Sequence, residues 1–216
     1  MTDLLRHLGL LLAGLGPTCV VFLGAVVLAA LVALVLGAAL TTRWWWLRWP
    51  AAAIVEFVRG TSAIVQLFWV FFALPVLGVH IPALPAAMVV LGVNTGAYGA
   101  EIVRGALQAV DPGQREAATA LSMSPFTIWW RIILPQAVAR MLPPFGNLAV
   151  ELLKNTALVS LVGLTDLMFQ GQILRDATLD DSVLLLVLGL YGVLAMLVVA
   201  GMHQLERRSA RWRSSA

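Results

Sequence analysis

The sequence predicts an all-α integral membrane protein with about five transmembrane helices, its N-terminus outside and its C-terminus in the cytoplasm. Three observations carry that reading. Of the 216 residues, 61% are apolar and only 12% are charged, roughly half the charged share of an ordinary soluble domain. Several apolar runs reach the roughly 20 residues that a helix needs to cross a hydrocarbon layer of about 30 Å. The arginines fall on alternate loops: eleven lie in one set, and only Arg6 and Arg175 lie in the other. That asymmetry places the basic loops in the cytoplasm.

In chain order, the spans fall at about 19–40, 60–79, 81–105, 138–163 and 182–205, so that residues 1–216 form a single transmembrane domain. Asp3 to Gly16, ahead of the first span, reads as an amphipathic helix lying at the interface. Cys19 is a small apolar filler, since one cysteine makes no internal disulfide. Trp44, Trp45, Trp46 and Trp49 stand beside Arg43 and Arg48 and fit an aromatic belt at the cytoplasmic interface. Pro75, Pro82 and Pro85 mark helix ends around His80. His7, His80 and His203 lie far apart in the chain, so no metal site is expected. The basic tail after Glu206 fits a lipid-headgroup anchor. With the arginines explained by topology, a nucleic-acid reading falls away.

The loop over 110–136 is longer and more patterned than a connection between membrane helices requires. Asp111-Pro112 is a helix start, because the carboxylate caps free amides and proline suits the first helical position. Gln114 stands where the reciprocal partner of a capping box belongs. A helix from Pro112 to about Leu121 presents Gln114, Glu116, Ala117, Ala118, Ala120 and Leu121. Ser122 and Met123 form a turn, Ser124-Pro125 repeats the start signal, and a second helix ends near Pro135. Read from residues alone, this unit either packs on the protein's own helices or docks on a partner.

Glu116-Ala117-Ala118, a turn four residues on, and then Ile132-x-Leu134-Pro135 resemble the EAA loop of permease subunits of ATP-binding cassette (ABC) importers. Ser122 replaces the usual turn glycine, at a cost of roughly 1 kcal/mol for a left-handed turn. Glu56 to Pro75, Asn94 to Ala118 and Leu142 to Leu167 are similar to permeases for polar amino acids and opines, with Ser62 where that group carries proline. Within the group, the chain is most similar to the ectoine and hydroxyectoine permeases. The resemblance implies the ABC type I importer permease fold and a multi-pass protein of the bacterial inner membrane. It also implies three kinds of partner: an extracytoplasmic binding protein delivering a polar amino acid or ectoine-like solute, a second permease subunit, identical or paralogous, and an ATPase subunit. Gln114, Glu116, Ala117, Ala118, Ala120, Leu121 and Ser122 then form the coupling element that sits in a groove of the ATPase. No phosphate-binding loop of the GxxxxGK[ST] type occurs in the chain, so no cofactor is expected here and ATP belongs to the partner.

Polar residues inside the spans mark a candidate solute pathway. Asn147, Glu151, Lys154 and Asn155 share one helical stripe, and a charge at mid-membrane costs on the order of 3 kcal/mol. Such a stripe faces a cavity or a partner, and a functional site is its default reading. The alternative is a structural ion pair between Glu151 and Lys154, which are neighbours at this spacing. Asn94 and Tyr98 are deep enough to offer hydrogen bonds to a solute, while Glu101 with Arg104 reads as an interfacial pair. Gly92-x3-Gly96 reads as a notch for close helix packing. Outside the importer class, a stand-alone secondary carrier or channel fits less well, since no internal repeat is visible. An intramembrane enzyme fits least, because paired aspartates, HExxH and a serine with a basic partner are all missing at membrane depth.

Overall fold

The computed structural model describes residues 2–214, with side chains from Gly9 to Arg208. Among them are ten α-helices: α1 Thr2–Thr41, α2 Trp45–Gly60, α3 Ala63–Phe68, α4 Leu74–Val76, α5 Ala83–Gln108, α6 Pro112–Ala120, α7 Pro125–Ile128, α8 Leu134–Asn155, α9 Leu167–Thr178 and α10 Ser182–Ser214. Four helical stretches are long and apolar enough to cross a membrane, and the bent pair Trp45–Gly60 and Ala63–Val76 makes a fifth.

α5 is the centre of the bundle and α1 is the helix laid against it. The buried residues of α1 include Leu11, Gly14, Thr18, Val21, Ala25, Ala29, Ala33, Gly37 and Leu40, spaced three and four apart as one face of a helix must be. Most are small. Across the seam, a Cβ on Gly96 would stand 2.6 Å from Val32 Cβ, and one on Gly92 would stand 2.9 Å from Leu28 Cβ. A Cβ on Gly37 would meet Val103 Cβ at 2.5 Å. The predicted notch is thus a real close approach, and it extends along both helices. Lipid tails supply no hydrophobic drive between helices, so this intimate contact is how two membrane helices gain from pairing. The other face of α1, with Leu23, Val27, Leu31 and Val35, is exposed.

Four expectations need correction. Asp3 to Gly16 is not a separate interfacial helix; α1 runs unbroken through it, with Pro17 inside. Leu11 is fully buried, and the Gly14 surface lies against the Asp166 and Leu167 backbone. That contact continues the α1 stripe and holds the segment in the bundle. The 60–79 span is not one straight helix: the chain turns by 99° between Gly60 and Ala63. Extended Thr61 and Ser62 make the break. The carbonyls it frees are recovered by side chains, as Thr61 Oγ1 donates to Phe57 O at 3.0 Å and Gln66 Nε2 donates to Val58 O at 2.8 Å.

The second loop helix does not end near Pro135. It passes through a π turn at Trp129–Ile133 into α8, where the Leu134 amide donates to Trp129 O five residues back. The same device occurs at Trp69–Ala73, where the Leu74 amide donates to Trp69 O ahead of Pro75. Proline lacks the amide and clashes with the carbonyl four residues earlier; the wider turn before it lets the helix continue. Finally, 167–178, read from sequence as part of an outer loop, is the helix α9, with Leu167, Gly171 and Leu174 buried.

α9 starts at a buried polar node. Asp166 is fully buried; its Oδ1 accepts from the Phe169 amide at 2.9 Å and its Oδ2 accepts from the Tyr191 hydroxyl at 3.3 Å. Burial pushes this carboxyl above the usual carboxylate range, against the lowering effect of the Phe169 and Met168 amides. Thr18 Oγ1 accepts from the Leu167 amide at 3.0 Å and donates to Gly14 O at 2.9 Å. The node ties α9 to α1 and α10.

The glycine seam gives a direct prediction. Gly96→Val forces overlap with Val32 and is expected to destabilise the protein by about 1–3 kcal/mol. Gly105→Ala meets nothing within 4 Å and is expected to be neutral or stabilising. Thermal unfolding of both variants in one detergent checks this; equal melting temperatures would count against the seam.

Candidate functional site

The projection over 110–136 is built from capping chemistry. Asp111 Oδ1 accepts from the Gly113 amide at 2.8 Å to start α6, and Ser124 Oγ accepts from the Thr127 amide at 3.2 Å to start α7. Between them, the Met123 amide donates to Ala118 O and the Ser122 amide donates to Thr119 O, the pair of bonds that closes a Schellman turn. Ser122 sits at its left-handed position with φ 58°. The turn therefore has the ordinary shape that glycine favours, with a serine in it.

Ala118 is the one buried residue of α6. Gln114, Glu116, Ala117, Ala120 and Ser122 are exposed, and Leu121 is 77% exposed at the tip. Phe126 and Trp130 also stand in the open, their rings 6.0 Å apart. A projection that buries so little of itself presents small and apolar side chains for another surface to cover. Gln114 does not complete a capping box with Asp111. Its Oε1 accepts from Gln136 Nε2, which also donates to Ile132 O at 3.0 Å. Gln136 thus ties the start of α6 to the start of α8, a link that no local pattern announces.

A second cluster forms where α2 and α3 break beside α5. Gln66 Nε2 donates to Thr61 Oγ1 at 2.7 Å, and Gln66 Oε1 accepts from Asn94 Nδ2 at 3.2 Å. Asn94 is 6% exposed, so its amide is engaged within the protein. Tyr98 is more open; its hydroxyl donates to Arg59 O at 3.3 Å, and the Arg59 guanidinium stands 5.3 Å from its ring centroid. Glu101 accepts from Arg104 Nε at 2.8 Å and lies 4.0 Å from Arg59. The expected Glu101–Arg104 pair is present, with Arg59 added. Arg59 Nε is buried without a hydrogen-bond partner. Sequence reasoning passed over Gln66 and counted Arg59 only as a loop charge. Gln66 carried a signal, being the one amide side chain in the apolar run 63–76.

The α8 stripe stands apart from this cluster. Asn147, Glu151 and Lys154 are exposed, Asn155 is half-buried, and no hydrogen bond joins them to Gln66 or Asn94 among the described residues. Glu151 and Lys154 form no ion pair, although a structural pair was one reading of their spacing. No neighbouring helix covers them, so no low-dielectric wall favours closing it. Charged groups on an uncovered helix face inside a bilayer call for water or another subunit opposite them.

Residues 25–211 match the family described as the binding-protein-dependent transport system inner membrane component. The chain belongs to this family. A probable amino-acid ABC transporter permease of Sinorhizobium fredii is 47% identical over 166 residues, 74% of this chain and 70% of that protein. The L-cystine transport system permease TcyB of Bacillus subtilis is 32% identical over 168 residues, 77% of this chain and 72% of that one. Among solved structures, an amino acid ABC transporter with histidines superposes with a TM-score of 0.88 at 32% identity, covering 96% of this chain and 97% of that chain. The permease is therefore a multi-pass inner-membrane transport subunit, of a family that depends on a binding protein and on an ATPase in a separate subunit.

The Gln114–Gln136 link yields a test. Gln114→Leu and Gln136→Leu should each speed backbone amide hydrogen exchange in α6, and the double variant should exchange no faster than either single one. Additive increases would show that the two amides act separately.

Proposed function

We propose that the permease passes a polar amino acid or a similar zwitterion, a class that includes ectoine and hydroxyectoine. The solute moves along a path formed with a second permease subunit. The uncovered Glu151 and Lys154 on α8 carry the reading. A zwitterion in a water-poor passage needs a partner for each charge, because unpaired charges there are costly. One anionic and one cationic side chain, three residues apart on one helix face, supply both kinds of partner. Asn147 and Asn155 extend the stripe with adaptable amides, and Tyr98 adds a partly open hydroxyl. Asn94 belongs to the same path as a support, since it holds Gln66 at the bend. The names of the relatives, for amino-acid and L-cystine transport, support the solute class.

In this reading an extracytoplasmic binding protein delivers the solute, and the ATPase supplies work through Gln114, Glu116, Ala117, Ala118, Ala120, Leu121 and Ser122. ATP binding closes the ATPase pair. The projection then carries that movement through the π turn into α8, switching access between the two sides.

Glu151→Gln should lower solute uptake and solute-stimulated ATP hydrolysis while leaving assembly intact; unchanged affinity and transport would remove Glu151 from the path. Glu116→Arg should leave the permease folded in the membrane but reduce co-purification of the ATPase. Wild-type retention together with intact coupling would remove Glu116 from the contact.

A further inference from the structure

The cytoplasmic ends of α1, α2 and α5 border an open polar cavity of about 280 Å³, which shares Glu101 and Arg104 with the cluster at the bend and adds Arg48 and Glu56. Its charged walls are Arg48 and Glu56 from α2 and Glu101 and Arg104 from α5, with Thr41 and Thr42 closing the α1 side. Two of those charges are already committed, since Glu101 holds Arg104. Arg48 and Glu56 have no ion-pair or hydrogen-bond partner among the described residues. They lie on one face of α2 with Ala52 between them, and their backbones are separated by two helical turns, about 12 Å. That separation keeps them from satisfying each other across the alanine. A ligand that answers both must carry an anion toward one end of the cavity and a cation toward the other.

The depth of the cavity identifies the source of such a ligand. Arg48 stands between Trp45 and Trp49, each 72% exposed, and Trp44 stacks on Trp46 with ring centroids 5.7 Å apart. Exposed tryptophans of this kind sit at the level of lipid headgroups. We propose that the cavity holds the headgroup of phosphatidylethanolamine from the cytoplasmic leaflet. The phosphodiester sits on the Arg48 guanidinium, whose planar fork matches phosphate oxygens. The ammonium donates to the Glu56 carboxylate. This assignment makes a chemical distinction: a choline headgroup has no N–H to donate to Glu56, and a glycerol headgroup brings no cation.

The full chain, purified in detergent, is titrated separately with phosphatidylethanolamine, phosphatidylcholine and phosphatidylglycerol of matched acyl chains, and bound lipid is read by native mass spectrometry. Phosphatidylethanolamine should bind about tenfold tighter than the other two, the worth of one charge-assisted hydrogen bond. Glu56→Gln should bring it down to the phosphatidylcholine level, and Arg48→Gln should weaken all three. Both side chains are exposed, so both variants should unfold at the wild-type temperature, and the lipid comparison is made within each variant. Equal binding of the three lipids by the wild-type chain would overturn the proposal, as would a preference that survives Glu56→Gln. Release of bound phosphatidylethanolamine by free L-glutamine would also overturn it, assigning the cavity to a soluble zwitterion instead.

Discussion

The contact between α1 and α5 is the constraint on which the rest is assembled. In lipid, two apolar helices gain little from hiding side chains, and they hold together by approaching closely enough for backbones and short side chains to touch. Gly92, Gly96 and Gly99 on one helix and Ala29, Ala33 and Gly37 on the other make that approach. Because α1 extends to Leu11 and Gly14, the same stripe that grips α5 also receives the start of α9 through Thr18. α2 then packs on the Leu40 end of this pair, burying Ala51 and Val55 with Leu40 and Ala100. α8 packs beside α5, with Phe145 close to Gly99. Each later element has a fixed surface to lean on because the first pair leaves so little play.

Backbone accounting governs the irregular places. Inside a bilayer no water rescues a free amide or carbonyl, so a break survives only where the protein supplies a partner. Gln66 and Thr61 do this at the bend, and Asp166 and Thr18 do it at the start of α9. These side chains carry structural duties that place other groups. Gln66 holds Asn94 while it repairs the bend, so altering the bend and altering the polar cluster are not independent changes.

Much of this was legible in the sequence, and the misses share a cause. The cores of the spans, the capped starts at Asp111 and Ser124, the turn at Ser122 and the Glu101–Arg104 pair all rest on local signals. Composition, helical period and capping residues report such features directly. An interfacial helix over Asp3 to Gly16 and a helix end near Pro135 both follow from local pattern, yet tertiary contact at Leu11 and a π turn at Trp129–Ile133 override it. α9 was hidden because its charges, Asp166, Arg175 and Asp176, outweighed the Leu167, Gly171, Leu174 period that packs it. The Gln114–Gln136 link spans 22 residues, and no window of local pattern reaches that far. The charged stripe on α8 was readable as a stripe; that Glu151 and Lys154 stay unpaired depends on what lies beside them, which the chain does not spell out.

The π turn at Trp129–Ile133 has a geometric consequence for the charged face of α8. A wide turn holds one residue more than an α turn, and each residue advances the direction of a helix face by about 100°. The angular setting between Ile128 and Glu151 is therefore a matter of residue count as well as side-chain chemistry. Removing one residue from Trp129–Ile133 would make the helix more regular and swing Glu151 and Lys154 away from the direction they now face. The irregularity acts as a phase adjuster, setting how the charged face of α8 is turned relative to the helices of the 110–136 projection.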